Sequence, residues 1–154
     1  ALVRTEALLE NIEVVQDLGE ELSLVLGERI QLQQVLVNVL LNAFEAMAGL
    51  EKGEKRVLLQ TRSQPDDSVW VSIADTGPGM APDQVENVFE PYYRAGRRRG
   101  GHGVGLTIVK RLCDRFGWPV HIDSTPGKGT RVTVGFPDVR TSHVKVDSPP
   151  NRDR

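Results

Sequence analysis

Residues 28–48 form the stretch ERIQLQQVLVNVLLNAFEAMA, which is apolar on nearly every side and is followed by Gly49. A run of this length and periodicity predicts one long, largely buried helix. Polar residues recur in it at three- and four-residue steps and therefore share one side of the helix: Gln31, Gln34, Asn38, Asn42 and Glu45. This polar stripe either faces solvent or presents hydrogen-bonding groups to something other than the core.

The rest of the chain alternates between strand-like and helix-like segments. Hydrophobic alternation predicts strands over residues 56–62, 69–75, 120–123 and 130–136 and extended pieces over 12–16 and 22–26, and helical spacing predicts helices over 2–9, 82–88 and 104–116. This order favours an α/β two-layer sandwich, in which a mixed sheet of about five strands carries about three helices on one face. We expect residues 1–10 to be the end of an upstream helix or a linker, 11–137 to form the domain, and the polar residues 138–154 to be a disordered tail.

Composition excludes several classes of function. The 154 residues carry 19 basic and 21 acidic side chains, a net charge of −2, so no global field would attract nucleic acid or an anionic membrane. No apolar run approaches the ~20 residues that a membrane-spanning helix needs. Cys113 has no cysteine partner, and His102, His121 and His143 lack metal-ligand spacing, so we expect no metal held by protein side chains alone.

The segment Asp75-Thr76-Gly77-Pro78-Gly79 ends one of the predicted strands. Strand parity places Asp75 on the same face as Ile73, at the end of a buried row. A buried carboxylate requires hydrogen-bond donors, and the exocyclic amine of a ligand ring is such a donor. Gly77 and Gly79 have no side chains and would let a flat ring come close to the backbone. A simple Asp-Gly turn without a ligand is the alternative. An aspartic protease, which also uses Asp-Thr-Gly, would need a second copy and an all-β fold that conflicts with the helical patterns.

A glycine-rich block, Gly101-His102-Gly103-Val104-Gly105-Leu106, precedes the predicted helix over 104–116. Bare backbone amides at a helix N-terminus suit phosphate groups, although a flexible hinge would have the same composition. The block is not a dinucleotide fingerprint, since Leu106 stands where that pattern needs glycine, and it lacks the Gly-Lys-Ser/Thr of a P-loop. Thr130 shares strand parity with Val132, so its hydroxyl is expected to point inward. There it either helps Asp75 to bind a ring or forms a hydrogen bond with the backbone.

In this order the blocks closely resemble the ATP-binding catalytic domain of bacterial sensor histidine kinases, within the superfamily of gyrase, the MutL repair proteins and a heat-shock chaperone. Residues 34–43 are similar to the N box of that family, 75–79 to the G1 box, Phe89 to the F box, 101–106 to the G2 box and 127–130 to the closing glycine-threonine segment. The resemblance covers about residues 33–136. It implies a Bergerat-type sandwich with a flexible ATP lid over residues 92–103.

The resemblance also implies roles for individual residues. Asn42 would hold the Mg²⁺ that bridges the triphosphate, Asp75 would bind the adenine amine, and Thr130 would support that contact. The nucleotide-binding set implied by the family comprises Asn42, Asp75, Gly77, Gly79, Gly101, Gly103, Gly105, Leu106 and Thr130, with Arg94 as a cation that contacts phosphate.

One departure from the pattern bears on the reaction. Hydrolysing members of the superfamily carry a Glu, which activates water, one helical turn before the metal-binding Asn, and this chain has Asn38 there. An amide cannot take that proton, so the interpretation shifts from hydrolysis to phosphoryl transfer, with Asn38 as a polar orienting residue. Glu45 stands where many members carry Lys, as in the nitrogen-regulation-like subgroup.

No histidine in this chain is followed by the Glu and downstream Pro of a phosphoacceptor helix. The resemblance therefore implies an acceptor histidine on a separate dimerisation helical domain and a response regulator receiver domain as the next partner. It implies a cytoplasmic domain, whether or not the full-length protein is membrane-anchored, with no nucleic acid partner and no direct membrane contact by this piece. A superfamily ATPase module and a nucleotide-binding regulatory domain without kinase activity are the alternatives.

Overall fold

The computed structural model describes residues 2–90 and 105–139. Its helices and strands follow in the order α1 (Leu2–Leu9), β1 (Glu13–Asp17), α2 (Arg29–Met47), β2 (Arg56–Ser63), β3 (Val69–Asp75), α3 (Pro82–Asn87), α4 (Gly105–Phe116), β4 (Val120–Thr125) and β5 (Gly129–Phe136). The strands form one five-stranded sheet in the order β1-β2-β3-β5-β4. β1 is parallel to β2 and the other neighbours are antiparallel, so the predicted mixed sheet is confirmed.

The core lies between one face of the sheet and the helices. Every second residue of β3, from Val69 to Asp75, is buried, as the alternation predicts. α2 packs against β3 and α4, and α1 packs against α2. The fully buried side chains of α2, among them Val35 and Phe44, fill the space above the sheet. The predicted α/β two-layer sandwich is therefore confirmed.

The C-terminal end of α4 follows the expected local chemistry. α4 is strongly amphipathic, and Cys113 on its inner side is buried as a small apolar residue. Gly117 has a φ of 69° directly after this helix, and the Trp118 N–H returns to the Cys113 carbonyl oxygen at 2.9 Å. This is the left-handed glycine cap with which helices commonly end.

The extended piece predicted over residues 22–26 is not one of the strands of the five-stranded sheet. Only Val25 forms an isolated antiparallel bridge, with Asp138. The leucines that made the segment alternate are exposed, and Leu24 is 82% exposed. The segment instead bonds to the end of β2, where the Ser23 N–H donates to Ser63 Oγ at 3.1 Å. Alternation without a sheet face to pack against did not suffice to make a strand.

Asp138, the predicted start of the disordered tail, is buried, so the packed part of the chain includes it. Residues 140–154 lie outside the described residues. Within the described ranges, no helix combines the length and the apolar character needed to cross a bilayer.

Candidate functional site

Asp75 ends β3 on the core side of the sheet and is only 7% exposed. Its Oδ1 accepts the Gly77 N–H at 2.8 Å and the Thr130 N–H at 3.3 Å. Its Oδ2 makes no hydrogen bond to any residue in the described part of the chain. One oxygen of the carboxylate is therefore held by backbone, and the other is left for a donor from outside.

The surroundings of Asp75 disfavour its charge. Burial raises the pKa of this carboxyl to about 6, although the N–H groups of Gly77 and Thr130 act in the opposite direction. A carboxylate that is poorly solvated and has an unpaired oxygen gains from a hydrogen-bond donor. This arrangement suits the amine predicted as its partner.

Thr130 is the direct cross-strand partner of Asp75 in the β3–β5 ladder, and both side chains are buried on the same face. Thr130 Oγ1 lies 2.7 Å from Ser124 Oγ, which also accepts the Met80 N–H at 2.8 Å. Ser124 thus connects the loop after Asp75 to the strand that carries Thr130. Sequence reasoning missed this residue; its strand parity with Ile122, which points it to the core side, was the available signal.

The two glycines after Asp75 are required for different reasons. A Cβ on Gly77 would lie 2.8 Å from Asp75 Oδ1, so this glycine leaves room for the carboxylate. Gly79 has a φ of +67°, and a Cβ there would overlap the Thr125 carbonyl oxygen. The loop is thus packed against the β4–β5 turn, where the Gly127 N–H also donates to the Pro78 oxygen at 2.7 Å. A contact between a ligand ring and Gly79 stays a prediction.

The polar stripe of α2 is accessible, with Gln34 exposed and Asn38 and Asn42 half-buried. The Asn38 Nδ2 donates to the Gln34 carbonyl oxygen at 2.8 Å, which leaves Asn38 Oδ1 as an acceptor. The Asn42 side chain makes no hydrogen bond to any other described residue. One helical turn later, Ala46 lies 3.3 Å from the position of a Cβ on Gly77, so α2 abuts the loop that follows Asp75.

The start of α4 meets the same stripe. A Cβ on Gly105 would lie 3.6 Å from the Asn38 carbonyl oxygen and 4.0 Å from Asn38 Oδ1. The structure therefore brings the end of the glycine-rich block next to the polar side of α2. Leu106 is buried in the core, so any contact of this residue with a ligand would use its backbone. Thr107 Oγ1 donates to the Phe89 carbonyl oxygen at 3.1 Å and ties the predicted F box residue to α4.

Three of the predicted site residues, Arg94, Gly101 and Gly103, lie outside the described residues, as does the predicted lid. No group of three or more His, Cys, Asp or Glu side chains able to hold a metal occurs within 2–90 and 105–139. The half-buried amide oxygen of Asn42 is a suitable ligand for a hard cation, which would draw its other ligands from water or phosphate.

Comparison with known proteins identifies the class. Residues 27–140 match the family described as histidine kinase-, DNA gyrase B- and HSP90-like ATPase, and the chain belongs to this family. The resemblance to the catalytic domains of sensor histidine kinases is confirmed by relatives that are sensor kinases.

Three relatives are representative. Sensor histidine kinase ZraS of Escherichia coli O157:H7 is 32% identical over 88% of this chain and 28% of its own length. The alginate biosynthesis sensor protein KinB of Pseudomonas aeruginosa is 34% identical over 79% of this chain and 20% of its own length. Sensor protein FixL of Bradyrhizobium diazoefficiens is 33% identical over 83% of this chain and 25% of its own length. The chain thus spans between 20% and 28% of these three proteins.

Solved structures agree with the fold. Full-length ShkA in complex with AMPPNP superposes with a TM-score of 0.74 at 30% identity, over 90% of this chain and 28% of ShkA. The mycobacterial sensor histidine kinase MprB superposes with a TM-score of 0.72 at 26% identity, over 88% of both chains.

Proposed function

We propose that this chain binds Mg-ATP and transfers the γ-phosphoryl group to a histidine on a separate dimerisation and phosphoacceptor domain of a sensor kinase. The phosphohistidine then supplies an aspartate of a response regulator receiver domain. Because the reaction uses ATP, we also propose a cytoplasmic location for the domain, whether or not the whole protein is membrane-anchored.

The observation that carries this proposal is the buried Asp75 carboxylate, with Oδ1 held by the Gly77 and Thr130 N–H groups and Oδ2 without a described partner. Adenine offers an exocyclic amine that suits such an acceptor. The match to a structure solved with AMPPNP supports the same reading, since that relative binds an ATP analogue. Both the geometry of Asp75 and the similarity to a nucleotide-bound relative thus support the proposal that Asp75 binds adenine.

The phosphate end of the proposed site lies along α2 and the start of α4. Asn42 would hold the cation through its amide oxygen, and bound Mg²⁺ would neutralise part of the triphosphate charge. Gly105 of α4 lies next to Asn38 of α2, and the backbone N–H groups and the positive dipole end at the start of this helix would face the phosphates. We propose Arg94, together with Gly101 and Gly103, as further phosphate contacts.

Asn38 favours transfer over hydrolysis. Its Nδ2 donates to the Gln34 carbonyl oxygen, and an amide has no site basic enough to take a proton from water. In the transfer, the bond between the γ-phosphorus and the bridging oxygen breaks and ADP leaves with that oxygen. Phosphorus bonds to the unprotonated nitrogen of the acceptor imidazole, and the ring then loses the proton of its other nitrogen to water. Positioning and charge stabilisation supply most of the catalysis of such a step.

The proposal is tested with γ-labelled ATP, Mg²⁺ and a supplied cognate domain that carries the acceptor histidine. We expect label on that domain, none on a version whose acceptor histidine is replaced by Ala, and negligible free phosphate from the chain alone. Rapid release of free phosphate with no labelled protein would instead favour the ATPase module. Nucleotide binding with neither product would favour a regulatory domain without kinase activity.

A further inference from the structure

Ser124 makes polar contacts with three parts of the site. It lies half-buried on the core side of β4, and its Oγ accepts the Met80 N–H at 2.8 Å. The same oxygen lies 2.7 Å from Thr130 Oγ1 and 3.2 Å from the Gly129 carbonyl oxygen. Ser124 has no place in the N, G1, F or G2 boxes.

The number of protons available decides the direction of these contacts. A serine hydroxyl has one proton and two acceptor lone pairs. All three contacts are hydrogen bonds only when Ser124 donates to the Gly129 oxygen and accepts from both the Met80 N–H and the Thr130 O–H. The reverse direction, from Ser124 to Thr130, leaves the Gly129 contact unmade. The arrangement that satisfies every partner uses the Thr130 proton inside the protein and leaves only acceptor lone pairs on Thr130 Oγ1.

We propose that Ser124 is a positioning residue that makes the Thr130 hydroxyl an acceptor, so that Thr130 and Asp75 together select a ring bearing an amino group. This inference rests on the proposed nucleotide site. Asp75 and Thr130 are direct cross-strand partners, whose side chains lie within reach of one ligand group. Two adjacent acceptors match the two hydrogens of an amine and leave a ring oxygen at that position without a donor.

Without the Ser124 hydroxyl, the Thr130 proton is free to turn toward Asp75 Oδ2 and compete with the amine of the ligand. The loss of Ser124 should therefore lower the affinity for an amino-bearing ring selectively. A purely structural role would weaken the binding of every nucleotide to a similar degree.

The test compares dissociation constants, measured by calorimetry on the 154-residue chain, for Mg-ATP and for the Mg²⁺ complex of purine riboside triphosphate, which lacks the amine. We expect Ser124→Ala to weaken ATP binding about fivefold to tenfold, the usual effect of one hydrogen bond, and to change binding of the analogue less than about twofold. Ser124→Thr keeps the hydroxyl and should restore the wild-type ratio. Ser72→Ala, on the opposite face of β3, is the matched control and should leave both constants unchanged.

A second variant tests the same contact in case Ser124→Ala does not fold. Thr130→Val keeps the shape of the side chain, removes its hydroxyl and should reduce selectivity for ATP to the same extent, with no further reduction in the double variant. Equal weakening of both nucleotides, or no recovery in Ser124→Thr, would overturn the inference while the nucleotide site stands. Failure of the wild-type chain to bind Mg-ATP at all would overturn the proposed function itself.

Discussion

Thr130 lies directly opposite Asp75 in the β3–β5 ladder, and its backbone N–H donates to Asp75 Oδ1 at 3.3 Å. The contact joins residues that are 55 positions apart in the chain. It places a hydroxyl beside a buried carboxylate and holds one carboxylate oxygen in place.

Asp75 should make stability depend on pH. Because burial raises its pKa to about 6 in the folded protein, the folded state binds a proton more tightly than the unfolded chain does. The contribution of Asp75 to stability is therefore fully present below the ordinary aspartate pKa and is lost as the pH rises to about 6. Urea unfolding between pH 4 and 8 should show Asp75→Asn to be more stable than wild type at pH 7, by up to about 3 kcal/mol, and similar at pH 4. A difference that does not change with pH would contradict this assignment.

The same substitution should abolish most of the stabilisation by nucleotide. A ligand that binds only the folded state at 100 times its dissociation constant adds about 2.7 kcal/mol, which raises the melting temperature by several degrees. Asp75→Asn replaces an acceptor-only group by an amide that cannot receive the ring amine in the same way. Asp123→Asn, on the exposed face of β4, is the matched control and should keep the full rise with Mg-ATP. Equal shifts in both variants would show that Asp75 does not bind the nucleotide.

Asn42 should carry the dependence of binding on magnesium. Its side chain makes no hydrogen bond to another described residue, so Asn42→Ala should change the free energy of unfolding by less than about 0.5 kcal/mol. The ratio of ATP affinities with and without Mg²⁺ should fall close to one, as measured by calorimetry with and without chelator. Gln33→Ala, an exposed neighbour on α2, should retain the wild-type ratio. Retention of the ratio in Asn42→Ala would exclude Asn42 as a ligand.

Two glycines of the predicted site should respond in opposite ways to alanine. Gly79→Ala adds a Cβ at a positive φ and against the Thr125 carbonyl oxygen, so we expect a loss of about 2 kcal/mol or more. Gly105→Ala places its Cβ in ordinary contact with Asn38 and should be neutral or slightly stabilising, since alanine is the better helix former. Its added methyl should nevertheless lower the affinity for Mg-ATP by restricting access to the start of α4. Thermal unfolding measures the stability of the two variants, and calorimetry measures their affinity for Mg-ATP. Equal losses of stability in Gly79→Ala and Gly105→Ala would contradict this prediction.

The elements and their order follow from local patterns in the sequence. The predicted helix over 28–48 is observed as Arg29–Met47, and the strand predicted over 69–75 has those bounds in the structure. The buried faces of β3 and β5, which include Asp75 and Thr130, also follow from alternation. These features can be predicted from short segments, because the periodicity of apolar residues along a segment indicates which of its sides will be buried.

How these segments meet depends instead on the packing of the folded chain. Residues 22–26 alternate in hydrophobicity but do not pair with the sheet, apart from the isolated bridge between Val25 and Asp138. Position 79 must be glycine because a Cβ there would overlap the Thr125 carbonyl oxygen. Ser124 Oγ connects Met80 to Thr130, which belong to separate segments. The Thr130 N–H, which together with the Gly77 N–H holds one oxygen of the Asp75 carboxylate, comes from far along the chain, and the other oxygen has no partner among the described residues. Such contacts follow from the register between strands and from close packing, which no single stretch of sequence contains.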